Sequence, residues 1–283
     1  VLSTELLSYY RSLSQSLFTV VDVETTGRYA WENRVTEVSV LQATLSGGIQ
    51  HQQTDLVNPQ TRIPLRIVHF TGITQQMVDA APDGSQVFPN YLPLLRQGIL
   101  TAHNLEFDYP FLQAEYARLG SQFTRPDLEQ LCTVQLSRLM LPDLRSRKLP
   151  DLVQHFQFQV GRSHRAEADT LACWLLVKTL FTQLLEEDDR ILLERFARQR
   201  IPLKVAADLL GCSAVEAQAV LEAAGVPSKF VGRGRTGTWM YRRGEVEQVV
   251  ATQAETNQAA KMQLTLAQAQ ARAQRSRNVQ KDS

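Results

Sequence analysis

Apolar and polar positions change period several times along the chain, and each change marks an element. Residues 17–25 (LFTVVDVET) are rich in Val and Phe and read as a buried strand. Strands at 34–43 and 49–57 follow, with Ser46-Gly47-Gly48 between them as a hairpin turn. After a Pro-containing stretch the pattern predicts a short helix from about Thr74, a helix near 86–96, a strand at 99–102, and a helix over about 106–119 that Gly120 ends. The order then becomes strand followed by helix: a strand at 131–134, a helix at 149–158 begun by Leu-Pro-Asp, and a long helix at 166–185 with apolar spacing at Leu171, Trp174, Leu175, Val177 and Leu180. Three antiparallel strands followed by alternating units predict a mixed α/β sheet.

A charge run, Glu186-Glu187-Asp188-Asp189, then closes the helical pattern, and Arg190, Arg195, Arg198 and Arg200 follow. This places a first domain at 1–186, a linker at 187–200, a small domain at 201–250, and an Ala/Gln-rich tail at 251–283, helical or disordered. Inside the small domain the pattern gives a helix near 205–210, a tight turn at Gly211-Cys212-Ser213, a helix at 214–224 and a Gly/Arg-rich hairpin at 229–241.

Three cysteines without any C-x-x-C support neither a disulfide framework nor a thiolate zinc site. Glu5 and Arg11 interrupt the first twenty residues, and the most apolar later stretch, 171–181, is short and contains Lys178. A soluble, cytoplasmic protein with no membrane partner is the expectation. Charge is unevenly spread: residues 1–189 hold 15 Lys/Arg and 21 Asp/Glu (net −6), residues 190–283 hold 15 and 8 (net +7). An acidic first part suits metal cations and a basic second part suits a polyanion.

Asp22 and Glu24 stand two apart among Val20, Val21 and Val23, so the period of two puts both acids on one face of a strand that otherwise reads as central. Side by side and unpaired, they are tolerable with a cation between them, or on an edge strand where water solvates them. Asp108 follows the strand 99–102 through Ala102-His103-Asn104-Leu105-Glu106-Phe107, at a strand-to-helix junction with Asn104 as the expected N-cap. Asp169 falls near the start of the long helix, and His164 on the loop leading into it.

Val-Asp-Val-Glu-Thr-Thr-Gly at 21–27, His-Asn-Leu-Glu-Phe-Asp at 103–108 and His-Arg-Ala-Glu-Ala-Asp at 164–169 resemble, in order and separation, the three exonuclease motifs of the DEDD superfamily, histidine subclass, which includes the epsilon proofreading subunit of bacterial DNA polymerase III and ribonuclease T. The resemblance covers about residues 15–186 and all five catalytic positions. It implies a ribonuclease H-like mixed sheet flanked by helices, and 3′→5′ removal of nucleotides from nucleic acid ends. It further implies that Asp22, Glu24, Asp108 and Asp169 hold two divalent cations and that His164 takes a proton from the attacking water. Two metals about 4 Å apart activate water, compensate the charge of the pentacovalent intermediate and assist the leaving oxygen. Four carboxylates balance two such ions, and oxygen ligands favour Mg²⁺ or Mn²⁺. The imidazole's ordinary pKa near 6.5 suits a base.

Further contacts are implied by the same resemblance. Backbone amides at Thr25, Thr26 and Gly27 are candidates for the terminal nucleotide, His69 and Phe70 for stacking on a base, and Asn104 for a phosphate or a helix cap. Single-stranded or frayed DNA 3′ ends are the expected substrate, with RNA 3′ trimming the alternative, since nothing in the motifs selects the sugar. A DNA-binding regulator with an inactive nuclease domain is a third reading, which the complete motif set disfavours. The small domain resembles winged helix-turn-helix units, with Arg233, Arg235, Arg242 and Arg243 as phosphate contacts of its wing; a structural module is the competing reading. Gln263-Leu264-Thr265-Leu266 resembles part of a sliding-clamp-binding peptide, with Ala267 where a large apolar residue is expected. Clamp and polymerase are therefore candidate partners.

Overall fold

The computed structural model describes residues 1–232 and 236–279; beyond residue 259 several side chains of the last helix, including Leu264 to Ala267 of the clamp-like peptide, lie outside that description. The chain divides into two compact units, Thr4–Arg195 and the pair of segments Val1–Ser3 and Phe196–Ser283.

The first unit contains α1 (Ser3–Ser12), β1 (Phe18–Thr25), β2 (Val35–Thr44), β3 (Gly48–Leu56), α2 (Leu65–Thr71), α3 (Gln75–Asp79), α4 (Gly84–Leu95), β4 (Ile99–Ala102), α5 (Leu105–Arg118), β5 (Gln130–Cys132), α6 (Thr133–Met140), α7 (Leu149–Phe156), α8 (Ala166–Glu186) and α9 (Asp189–Ala197), which runs to the division between the units. Its sheet has the order β3-β2-β1-β4-β5. Strands β1, β2 and β3 are antiparallel, while β4 runs parallel to β1 and β5 parallel to β4. Compared with the pattern expected from sequence, α1, α2 and α6 are additional, and the segment expected as a linker contains α9.

Strand β1 is central, and its two faces differ. Val21 and Val23 join Val38, Val40, Phe88, Tyr91 and Phe111 in one apolar cluster. The other face changes character along its length. At its base Phe18 packs on Trp174 and Phe181 of α8, with ring centroids 6.0 and 5.1 Å away. Higher up stand Asp22 opposite Ser39 and Glu24 opposite Glu37. Ser39 Oγ lies 3.0 Å from Thr170 Oγ1 of α8, so the acids face the helix that carries Asp169. By length and composition α8 could cross a membrane, but here it is the core helix of the sheet.

Strand β4 pairs with β1 only from Phe18 to Val20. Beyond Ala102 the chain turns into α5, so the upper half of β1 has no strand on that side. The vacated edge receives the first turns of α5 instead, which sets the site's location at the carboxyl end of a central strand.

The second unit contains β6 (Arg200–Pro202), α10 (Leu203–Leu210), α11 (Ala214–Ala223), β7 (Ser228–Val231), β8 (Thr238–Arg242) and α12 (Arg243–Val279). Its antiparallel sheet has the order β6-β8-β7, and Ile201, Ala206, Leu221, Tyr241 and Val246 form its core. Gly211 ends α10 in a left-handed conformation, and Ser213 caps α11 in a capping box with Glu216. Of the four arginines expected on a wing, Arg233 and Arg235 lie outside the described residues and Arg242 is exposed on β8. Arg243 does not belong with them. It begins α12, is 6% exposed, and its guanidinium donates to Gln199 Oε1 (2.7 Å) and Glu247 Oε1 (3.2 Å), so it is occupied inside the unit.

Because Phe18 is fully buried at the base of β1, Phe18→Ala should lower the unfolding free energy by about 3–5 kcal/mol, read from the urea midpoint. A loss below about 1 kcal/mol would show that α8 is not anchored there.

Candidate active site

The site forms where β1 outruns β4. Asp108, 2% exposed, sits in the first turn of α5, and its Oδ1 accepts the Val23 N–H at 3.1 Å. That amide lies beyond the last β4 partner, so the carboxylate takes the place of a missing strand. The N-cap of α5 is Asn104, but its side chain makes no capping bond and its φ is +81°. The expectation that Asn104 caps through its side chain is thus corrected: the left-handed backbone turns the side chain away from the helix, and it lines the cavity beside the carboxylates.

Asp169 and His164 arrive from the opposite side. His164 has φ +63°, uncommon for a residue with a side chain, and its N–H donates to Asp169 Oδ2 at 3.1 Å. Its ring lies on Phe70 of α2, with centroids 3.8 Å apart. Glu24, His164 and Asp169 each present a ligand atom within 4.8 Å of one another. Asp22, Glu24, Asp108, Asp169 and His164 line one cavity of about 460 Å³, together with Thr25, Gly27 and Phe70.

A residue pair that sequence reasoning missed fastens this junction. Glu37, 1% exposed, accepts from Arg165 Nε at 3.1 Å and from Arg165 Nη2 at 2.5 Å, and its Oε2 accepts the Ala166 N–H at 2.8 Å. One buried carboxylate therefore ties the loop of His164 and the first turn of α8 to the strand opposite Glu24. A charge-assisted, two-pronged bond of this kind fixes orientation as well as distance. Its place across from Glu24 follows from the register of β2 against β1, which local sequence does not reveal.

Electrostatically the site is unbalanced. Among the described residues no ion pair reaches Asp22, Glu24, Asp108 or Asp169. Burial, then the charge of Asp169, pushes Glu24 up to about 8. Burial likewise pushes Asp108 up to about 8 and Asp169 to about 6, and raises Asp22 well above the usual carboxylate range, with Asp108 the next cause. Such acids are either protonated or matched by cations, and a cluster of carboxylate oxygens with one imidazole has the donor set for a hard divalent metal. His164 moves the other way, lowered by burial and then by Arg162, which favours the neutral ring.

Other expected contacts divide. Thr25 and Gly27 line the cavity, but the Thr26 N–H already donates to Arg34 O (2.9 Å) and its hydroxyl accepts the Arg34 N–H (3.0 Å). Thr26 is thus withdrawn as a contact for a nucleotide, because the turn into β2 consumes its polar groups. Phe70 is 55% exposed at the cavity, whereas His69, also exposed, lines neither of the two cavities at the carboxylates. His103 is a further residue that sequence reasoning left without a role. Its Nε2 lies 2.8 Å from Arg147 O and its Nδ1 2.8 Å from Thr133 Oγ1. A carbonyl only accepts, so Nε2 carries the hydrogen, and burial holds the ring neutral with its pKa lowered to about 4.

The family described as "Exonuclease" (RNase_T) matches residues 19–177. DNA polymerase III subunit epsilon of Aquifex aeolicus is 31% identical over 179 residues, covering 62% of this chain and 84% of that protein. The PolC-type DNA polymerase III of Clostridium perfringens is 30% identical over 172 residues, 61% of this chain but 12% of the polymerase, so the chain spans about an eighth of that relative's length. Among solved structures, E. coli exonuclease I in complex with a dT13 oligonucleotide shares the fold, with a TM-score of 0.54 at 18% identity over 59% of this chain and 41% of that one.

The raised carboxylates give a signed expectation. With folded pKa values near 8 for Glu24 and Asp108, above ordinary values of 4.5 and 3.8, the folded state holds protons that the unfolded state has released. The resulting stabilisation is complete below about pH 4 and is lost as pH rises to about 8. In EDTA the melting temperature should therefore fall from pH 5 to pH 9, and millimolar Mn²⁺ should restore it most at the alkaline end. A Glu24→Gln/Asp108→Asn variant should show a shallower slope, carried by the remaining Asp22 and Asp169, and should lose the Mn²⁺ response; an equal response in the variant would count against metal binding here.

Proposed function

The chain belongs to this exonuclease family, and from that premise we propose that it is a metal-dependent 3′→5′ exonuclease releasing nucleotides from DNA 3′ ends, in repair or proofreading. The observation that carries the reading is the convergence of Asp22, Glu24, Asp108 and Asp169 with His164 on one cavity, with no ion pair to any of the four acids among the described residues. The four carboxylates would hold two divalent cations, Mg²⁺ or Mn²⁺, formally −4 against +4. When bound, such ions supply a nucleophilic water and compensate charge on the phosphoryl group.

The chain's own residues account for the remaining steps. His164, neutral and beside Glu24 and Asp169, receives the proton of the attacking water. Phe70 supports the imidazole with part of its ring and keeps an exposed remainder on which a terminal base can stack. Thr25 and Gly27 line the same cavity, where their backbone can meet the terminal nucleotide. Arg165 and Glu37 keep the histidine loop in register with β1. The second unit is read as a winged helix-turn-helix-like accessory that contacts nucleic acid weakly through the hairpin of β7 and β8. Helix α11 exposes Glu216 and Glu222, which disfavours base reading by that helix.

With Mg²⁺ or Mn²⁺, a 5′-labelled single-stranded DNA should shorten into a ladder, and Asp22→Ala or Glu24→Ala should abolish the ladder without altering thermal unfolding in EDTA by more than the loss of one buried acid. A matched RNA strand in the same assay decides between deoxyribose and ribose preference. Cleavage retained by the double variant would overturn the assignment. His164→Ala should slow single-turnover cleavage roughly 10²–10⁴-fold. The wild-type rate should rise with pH to a plateau whose midpoint lies below the ordinary imidazole value of 6.5, and the variant should lack that limb.

A further inference from the structure

Asp22, His164 and Asp169 also border a second, larger cavity of about 850 Å³, whose lining is rich in cations. Arg138 at the end of α6, and Arg145, Arg147 and Lys148 from the connection between α6 and α7, all line it. We propose that these four side chains form a binding track for the phosphodiester backbone of a single strand whose 3′ end lies at the carboxylates. This rests on the reading of the carboxylate centre as a nuclease and extends it to where the rest of the strand runs.

Three observations support the track. The connection that carries it is fixed in place: His103, which adjoins the carboxylate motif of α5, donates to the carbonyl of Arg147 at 2.8 Å, and Ser146 Oγ is bonded to Asp151 of α7. A loop so held presents its cations at a constant distance from the site. Next, Arg147 Nε is buried without a hydrogen-bond partner, while Arg147 Nη2 donates to Leu141 O. Nε is closed off from a bound strand, so Arg147 acts chiefly through its Nη2 bond, which ties the connection to the end of α6 and steadies the exposed Arg145 and Lys148 beside it. Lastly, the lining joins both charges: Asp22 and Asp169 share the cavity with Arg138, Arg145 and Lys148, all three exposed, and no ion pair among the described residues links these cations to the two acids. Free cations beside carboxylates that bind metal suit an anionic polymer whose end lies at the metals. Phe70 is the one aromatic carbocycle in the lining, so the track follows backbone rather than base identity.

The test is binding of 5′-fluorescein-labelled 20-nucleotide DNA and RNA strands to the full chain by anisotropy, in EDTA to prevent cleavage, over a series of KCl concentrations. Removing three phosphate contacts with Arg138→Gln/Arg145→Gln/Lys148→Gln should weaken binding and reduce the slope of log affinity against log salt by about 2, from roughly 0.7 per contact on single strands. Arg138→Lys/Arg145→Lys should restore wild-type affinity and slope, because the contacts are made by charge. Loss on the DNA strand alone, the RNA strand alone or both supports the track and names its sugar. Unchanged affinity and slope in the triple variant would overturn it, as would a loss that the lysine variant shares, which marks a structural effect. Mg²⁺-dependent shortening of the same strands by the wild type reports the nuclease reading separately: binding through the track without shortening would sink that reading and leave the track standing.

Discussion

Repulsion among buried carboxylates is the constraint to which the rest of the first unit answers. Asp22, Glu24 and Asp108 are taken out of water by the same packing that builds the sheet, and each raises the cost of ionising its neighbours. A fold selected only for stability would replace such a corner with apolar side chains. Here the cost is retained at one end of β1 and offset along the other, where the Phe18 ring packs on Trp174 and Phe181. The strand is thus divided into a stabilising base and a strained upper half. Protonation or a ligand that carries positive charge relieves the latter.

Topology decides where that corner can exist. If β4 continued alongside β1, the Val23 amide would be paired by a strand and Asp108 would have no place to enter. The early turn into α5, through the left-handed backbone of Asn104, opens the edge that the acid then closes. On the other side Glu37 performs a parallel task with a charge of its own. Its bonds to Arg165 and Ala166 commit it fully, so it remains a fastener rather than another free acid. Five acidic side chains therefore meet at this junction in two states, one paired to a guanidinium and four not. The paired one fixes the histidine loop and the start of α8, and with them Asp169, against β1.

Much of this was legible in the residues. The alternation around Asp22 and Glu24, the strand-to-helix junction before Asp108 and the helix start at Asp169 are local patterns, and local patterns survive in a sequence. The major strands and helices of the first unit fall within a few residues of their expected bounds for the same reason. What was not legible depends on partners distant in sequence. The helices at Leu65–Thr71 and Thr133–Met140 are short, and tertiary packing rather than propensity maintains them. Glu37 looks like any polar residue in a strand until its register against Glu24 is known. Arg243 stood next to Arg242 in the chain and was grouped with it, yet the turn from β8 into α12 sends one outward and the other into the unit.

The same lesson bears on charge. Summed over long segments, acid dominates residues 1–189 and base dominates residues 190–283, which directs attention for nucleic acid contact to the second unit. Screening limits an exposed charge to roughly 10 Å at moderate salt, so a phosphate responds to the few groups around it and not to a segment's total. Within the acidic part, residues 138–148 contain Arg138, Arg145, Arg147 and Lys148 against a single acid, Asp143. Folding brings this short basic run to the same cavity as Asp22 and Asp169. An acidic centre that needs cations and a basic bank suited to a polyanion can then adjoin without cancelling, because Arg165 is already committed to Glu37 and no ion pair among the described residues links the bank to the four acids. Keeping the two charges unpaired within one unit would let it both hold metal and draw a strand towards it.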